Sequence, residues 1–323
     1  MKKTEWKSLA EYFANDYLKE AAKAAKFAER RTGFENLDGA GKFKSDGQLQ
    51  VFTPGIYVIG APPSAGKTTW TLQLMNQLAD KGEQCLFLSY EMAVQALCRK
   101  LISRNLFEKK QAGEPVTVLS SADIRRAGVN NEDINAVVEE FADTMNHLQI
   151  LHVDWEASTL IKKLYDFAGT LDRPPVIAID YLQMVPNSNA VTSKDKIDSL
   201  LALLRKFQVD TDATLILVSS FNRGNGMQVE ATFSSFKESG AIEYTADVLL
   251  VLEPAIKNGE SMSEADKRER QKKIRAMRLR CLKSREGGLY EVYFRYFASY
   301  DTFEPCFRHE LFEETNTQPR YCK

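Results

Sequence analysis

The chain has 323 residues, of which 44% are hydrophobic and 27% charged, with a formal net charge of −1. That length accommodates one large domain with an appendage, or two small domains, with an ordinary globular composition. Near-neutrality excludes a broadly basic nucleic-acid face, so any such contact must be local and made by loops. The cysteines (Cys85, Cys98, Cys281, Cys306 and Cys322) are scattered, with no CxxC pair and no His partner at ligand spacing. This points to reduced thiols and away from a metal centre. The N-terminus lacks the apolar core of a signal peptide and no apolar run approaches a membrane span, so a cytoplasmic location is expected.

From Thr4 to Arg31 the pattern predicts one helix, with Trp6, Leu9, Phe13 and Tyr17 at three- or four-residue spacing. Its apolar stripe must be buried, either on its own domain or on a neighbouring subunit. Thr32-Gly33-Phe34 breaks the helix, and the polar stretch from Asp38 to Gly47 reads as loop. A strand over Gly55–Ala61 then runs into Ala61-Pro62-Pro63-Ser64-Ala65-Gly66-Lys67-Thr68, followed by a helix over Thr68–Asp80. The octet reads as [A/G]xxxxGK[ST], a phosphate-binding loop in its strand–loop–helix context. Gly66 lets backbone N–H groups approach phosphates, and the helix N-terminus adds a positive dipole end. Lys67 supplies charge for the β- and γ-phosphates and Thr68 a hydroxyl for Mg²⁺.

Further strands are predicted at Gln84–Tyr90, Leu148–Asp154, Val176–Gln183, Thr214–Ser220 and Ala246–Glu253, several of them continuous apolar runs. Such runs belong to strands buried on both faces. Helices are predicted between them at Glu91–Leu106, Asn131–Asn146 and Ser193–Asp210, giving an α/β parallel sheet with right-handed crossovers. The Val176 strand carries Asp180, placed to hold Mg²⁺ through water opposite Thr68. The Gln84 strand leads into Glu91, which could polarise an attacking water, since ligands of open sheets bind beyond the carboxyl ends of the strands. A dipole-complementing helix N-terminal glutamate is the plainer reading of Glu91. A polar loop follows Ser219-Ser220-Phe221-Asn222-Arg223 and continues to Glu243. Ser263 to Lys273 is dense in charge and reads as a solvated helix or loop. Arg275–Ser284 and Tyr290–Tyr300 read as an antiparallel hairpin added to the sheet edge.

Taken in order, five segments resemble the C-terminal ATPase domain of DnaB-type replicative helicases. They are Ala61–Thr68, Ser89-Tyr90-Glu91-Met92, Ile179-Asp180-Tyr181-Leu182-Gln183, Lys237-Glu238-Ser239-Gly240 with Ile242-Glu243 and Ala246-Asp247, and Lys283-Ser284-Arg285 with Gly287. Thr32 to Asp38 matches that family's opening motif, so the resemblance runs over most of the chain. It implies a RecA-like P-loop core over residues 32–323: a mostly parallel twisted sheet with helices on both faces and a C-terminal antiparallel hairpin. Residues 1–31 would be a linker helix. It also implies that ATP and Mg²⁺ are bound by Ala61, Pro63, Ser64, Ala65, Gly66, Lys67, Thr68 and Thr69 with Asp180, and that Glu91 is the catalytic base. Arg285 would be an arginine finger reaching an adjacent subunit, assisted by Lys283. Lys237, Glu238, Ser239, Gly240 and Ala241 would grip single-stranded DNA in the channel of a hexameric ring, and a loader or primase would be a further partner.

Two departures bear on function. The family's Ser-Gln-Leu-Asn-Arg reads Ser219-Ser220-Phe221-Asn222-Arg223, so a serine stands where a glutamine senses the γ-phosphate. The family's separate N-terminal domain also has no counterpart, so ring assembly and partner contacts made through it are not implied. Three readings stay open: a ring-forming DNA helicase or translocase, of phage or mobile-element type; a RecA- or RadA-like recombination ATPase; and a nucleotide-binding accessory protein of another helicase.

Overall fold

The computed structural model describes residues 8–40, 52–128, 130–188, 190–221, 230–236, 239–257 and 259–312. In place of one N-terminal helix there are two, α1 (Leu9–Asn15) and α2 (Tyr17–Ala28). Ser8 caps α1 through a capping box with Glu11. The Asn15 side chain donates to the Glu11 carbonyl, and the Asp16 carbonyl accepts from Lys19 and Glu20. The Asn15 side-chain bond to the backbone is of the kind that competes with helix continuation, and Asp16, at φ −123° and ψ −41°, departs from helical geometry between the two helices. Arg30 then anchors the chain: its buried guanidinium donates to the Phe52 carbonyl and to Thr214 Oγ1 (2.8 Å) and pairs with Glu83 (3.0 Å). Asp38 closes the short α3 (Glu35–Asp38) by accepting from Thr32 N, Thr32 Oγ1 and Gly33 N.

Nine strands form one sheet in the order β3-β2-β4-β5-β1-β6-β7-β8-β9. β1 (Gly55–Ala61), β2 (Cys85–Ser89), β3 (Leu148–His152), β4 (Val176–Asp180), β5 (Thr214–Ser220) and β6 (Val248–Pro254) are mutually parallel. The expected C-terminal hairpin is present as β7 (Ile274–Ser284) and β8 (Glu291–Phe297), and a third antiparallel strand, β9 (Thr302–Cys306), extends it. Pro305 inside β9 is compatible with its place at the sheet edge, where one side needs no ladder donor.

β1 shows why the core has two halves. Ile56 and Val58 point into one apolar cluster, and Tyr57 and Ile59 into the other. With both faces covered, every residue of β1 is buried. On one face lie α4 (Lys67–Asp80) and α5 (Val94–Gln111), with α6 (Ser121–Ala127) and α7 (Glu132–Thr144) packed outside α5. On the other lie α8 (Ala157–Gly169), α9 (Ser193–Thr211) and α10 (Ser239–Thr245). The segment at 239–245, read from sequence as part of a loop, is therefore helical. α6 and α8 also arise where no helix was predicted. The charged stretch forms α11 (Met262–Arg270), opened by a Ser261–Glu264 capping box, and α12 (Arg308–Phe312) ends the described chain.

Candidate active site

Parallel pairing puts the carboxyl ends of β1, β2, β4 and β5 on one side of the sheet. Residues 61–68, Glu91 and Asp180 emerge there together. Ala61 ends β1 opposite Ser220. The loop then turns through Ser64 at φ 65° and Gly66 at φ 91°, and α4 begins at Lys67. Both conformations are left-handed, which glycine adopts readily and serine does not. Gly66 is fixed by space as well as by φ. A Cβ there would meet Phe303 at 2.9 Å and Tyr296 at 3.0 Å, two rings stacked at 4.0 Å between centroids. Arginines from the C-terminal extension hold the outer rim of the loop. Arg270 donates to the Pro63 carbonyl (3.0 Å) and Arg275 to the Ser64 carbonyl (2.9 Å).

Asp180 is fully buried, and neither of its carboxylate oxygens has a hydrogen-bond partner among the described residues. Burial pushes its pKa up to about 6; the nearby Thr68 hydroxyl and Lys67 ammonium pull it down, and Glu91 pushes it further up. The hydroxyl faces the carboxylate without completing a hydrogen bond of ordinary geometry. A buried carboxylate left unsatisfied is costly and calls for a cation or donor beyond the described residues. This donor set, a carboxylate facing the Thr68 hydroxyl, suits a hard divalent ion such as Mg²⁺.

Glu91 is exposed, two residues beyond the Ser89–Asp180 pair. The buried Ser89 hydroxyl accepts from Met92 N (2.8 Å), so the chain turns before α5 starts at Val94. The predicted helix start at Glu91 is thereby corrected, and Glu91 lies outside the helix's first turn. Thr69 is turned inward: Lys100 Nζ donates to its hydroxyl (3.2 Å) and also pairs with buried Asp301. Only its backbone N–H faces the loop's anion cradle by the rule for helix N-termini. Lys100, Asp301, Arg270 and Arg275 carried no sequence signal, because they meet the loop from remote segments.

The structure does not bring Lys283 and Arg285 to this end. Ser284 pairs with Val248, which pairs with Tyr57, near the opposite end of β1. Four residue steps of β1, from Tyr57 to Ala61, separate that level from the phosphate-binding loop, a span of roughly 13 Å. Of the expected DNA segment, Lys237 and Glu238 lie outside the described residues, as does the side chain of Ser239. Gly240 and Ala241 lie in the first turn of α10, with Gly240 exposed.

The family model of the DnaB-like helicase C terminal domain matches residues 31–305. The chain belongs to that family. Among curated proteins, the probable plasmid replicative DNA helicases of Chlamydia muridarum (strain MoPn / Nigg) and Chlamydia trachomatis are each 25% identical to it over 226 residues, 68% of this chain and 46% of theirs. The chain thus spans about half the length of the curated relatives it matches. The fold is shared with solved proteins. One solved ATPase domain superposes with a TM-score of 0.69 at 19% identity, covering 94% of this chain and 100% of that one. A DnaB-like replicative helicase studied for its interactions with primase gives 0.69 at 18%, covering 94% and 68%. A KaiC-like protein, PH0186 of Pyrococcus horikoshii OT3, shares it more distantly, at 0.52 and 15% identity, covering 86% and 97%.

Within this DnaB-like domain, Ser220 keeps its place at the end of β5 beside Ala61. Its backbone N–H donates to Gln183 Oε1 (3.2 Å), and Gln183 Nε2 donates to Ser219 Oγ (2.8 Å). A glutamine amide therefore does sit at this strand end, supplied by the segment after β4.

Proposed function

We propose that this chain is the motor domain of an ATP-driven, ring-forming DNA helicase or translocase of the replicative type, acting on single-stranded DNA. The observation that supports the reading is the placement of the expected catalytic residues toward the two ends of β1. Lys67, Thr68, Asp180 and Glu91 lie toward one end, and the cation expected to complete them stands toward the other, roughly 13 Å away along the strand. A chain that cannot reach its own phosphates with Arg285 is suited to reach a neighbour's.

In this reading the backbone N–H groups of Ser64 to Thr69 and the Lys67 ammonium bind the triphosphate. Thr68 and Asp180 would hold Mg²⁺, which would supply positive charge to offset that of the triphosphate. Glu91 orients and accepts a proton from the attacking water. Arg285 of an adjacent protomer, with Lys283, stabilises the charge that spreads over the transferred phosphoryl group. The residues from Lys237 to Ala241 track the phosphate backbone of a single strand, a contact indifferent to sequence and weakened by salt. The N-terminal segment supports assembly in the same sense. Its stripe is turned out from its own domain, with Leu9 69% and Phe13 54% exposed, and suits docking on the next subunit. A primase or loader is a further partner of such a domain.

The test is strand separation on a forked DNA duplex, run beside ATP turnover with and without single-stranded DNA. Light scattering with an ATP analogue gives the assembly size. Unwinding by hexamers is expected. Turnover without unwinding, on extended filaments, would instead identify a recombination ATPase, and no ATP binding at all would leave an accessory protein.

A further inference from the structure

The end of β1 remote from the nucleotide is built around Asp247. One carboxylate oxygen, Oδ2, accepts from Ile56 N (2.7 Å) and pairs with Arg205 Nη1 (2.8 Å), which fixes the side chain against both β1 and α9. The other, Oδ1, lies 3.4 Å from Arg285 Nε. The Asp247 backbone joins in, since its carbonyl accepts from Arg285 N (3.0 Å).

The C-terminus of α10 supplies the rest. The last carbonyls of a helix have no partner within it and carry its negative dipole end. Here each is taken by a cation: Arg285 Nη2 donates to Tyr244 O (2.8 Å), Arg205 Nη2 to Thr245 O, and Lys283 Nζ to Glu243 O and, at 2.8 Å, Ala246 O. The Arg285 guanidinium is thus held along its Nε–Nη2 edge, while half of the side chain remains exposed beside a cavity of about 210 Å³. An arginine side chain left free would have to give up its rotamer freedom at every encounter.

We propose that Asp247 is the positioning residue of the arginine finger, seating the Arg285 guanidinium with the α10 carbonyls so that it reaches a neighbour's phosphates already oriented. The inference rests on Arg285 acting in trans, as read above. It has a consequence for coupling. The seat is the far end of the same seven-residue helix whose first turn carries Gly240 and Ala241, so a shift of that helix on DNA moves the finger's support directly.

The experiment measures ATP turnover by full-length Asp247→Asn with single-stranded DNA present, beside Arg285→Ala. Asparagine keeps an acceptor for Ile56 N–H but presents a donor to the guanidinium. Misplacing a catalytic group by an ångström costs on the order of 10²-fold, so kcat should fall about 10- to 100-fold with KM for ATP unchanged. Adding Lys67→Ala protein should restore turnover, because its intact Asp247–Arg285 seat then faces the intact phosphate-binding loop of the Asp247→Asn chain. Should that variant melt out, Asp247→Ser is read in the same way. A wild-type kcat in Asp247→Asn, with Arg285→Ala inactive, overturns the seat alone. A loss that mixing does not rescue, or one confined to KM, overturns it in favour of a structural role in the same chain. Full turnover by Arg285→Ala overturns the seat and the finger together.

Discussion

The two ends of β1 are built on opposite plans. At the carboxyl end a buried carboxylate has no partner among the described residues, beside a turn left-handed at Ser64 and Gly66 and the Lys67 ammonium above the Tyr181 ring at 5.6 Å. At the amino end each charge is answered, with Asp247 and three carbonyls of α10 engaging Arg205, Lys283 and Arg285. On the function proposed above, the difference matches the partner each end would meet. An end that will receive a polyanion and its metal keeps its donors and acceptors open. An end that will deliver a cation holds it in place beforehand.

Breaking the open end should have the largest effect. Lys67→Ala removes the charge between the β- and γ-phosphates, and ATP turnover should fall to background; undiminished turnover would remove the whole nucleotide site from the account. Glu91→Gln keeps size and hydrogen bonding but not the base, and should lose about 10²- to 10⁴-fold in kcat. Nucleotide binding, followed by a fluorescent ATP analogue, should hold. Parallel loss of binding would make Glu91 structural.

Asp180→Asn sharpens the contrast by trading activity for stability. In the folded protein the Asp180 pKa is raised to about 6, so the folded state keeps a proton that the unfolded chain has lost. The stability contributed by that proton is fully present below the ordinary Asp range near pH 4 and disappears as pH rises to about 6. Asparagine removes the dependence. Nucleotide-free Asp180→Asn should therefore gain over the parent as pH rises from about 4 to 6, reaching at most about 3 kcal/mol above it, at 1.36 kcal/mol per pKa unit. Thermal melts across that range check this, and an equal or lower Tm at pH 7 would contradict it. With Mg²⁺ and nucleotide added, the parent should gain stability and the variant little.

The open end was legible in the sequence because its chemistry is contiguous. An octet spanning a strand end, a loop and a helix start carries most of it, Asp180 closes β4, and Glu91 follows β2 by two residues, both strands being plain apolar runs. β1 and β5 fell at their predicted bounds for the same reason. The satisfied end was only half legible. Lys283 and Arg285 stood out, but their seat depends on α10, which read as loop because it is short and follows a polar stretch. Asp247 was visible as part of a matched segment and silent about its role, which comes from four segments meeting. Arg270, Arg275, Lys100 and Asp301 were missed for the same cause: each acts on the loop across the fold. The N-terminal helix was read as continuous because periodicity outweighed the break at Asn15 and Asp16, where a side-chain bond of Asn15 and a non-helical Asp16 backbone separate α1 from α2.

The central claim, one catalytic centre divided between two chains, is tested most directly by mixing Lys67→Ala with Arg285→Ala protein under conditions where subunits exchange. Each variant alone should be inactive, Arg285→Ala by roughly 10³- to 10⁵-fold, the worth of an arginine finger. In the mixture, interfaces that pair an intact Lys67 with an intact Arg285 should regain ATP turnover, peaking near equal amounts of the two. Exchange with no recovery at any ratio would contradict the account and return Arg285 to its own chain.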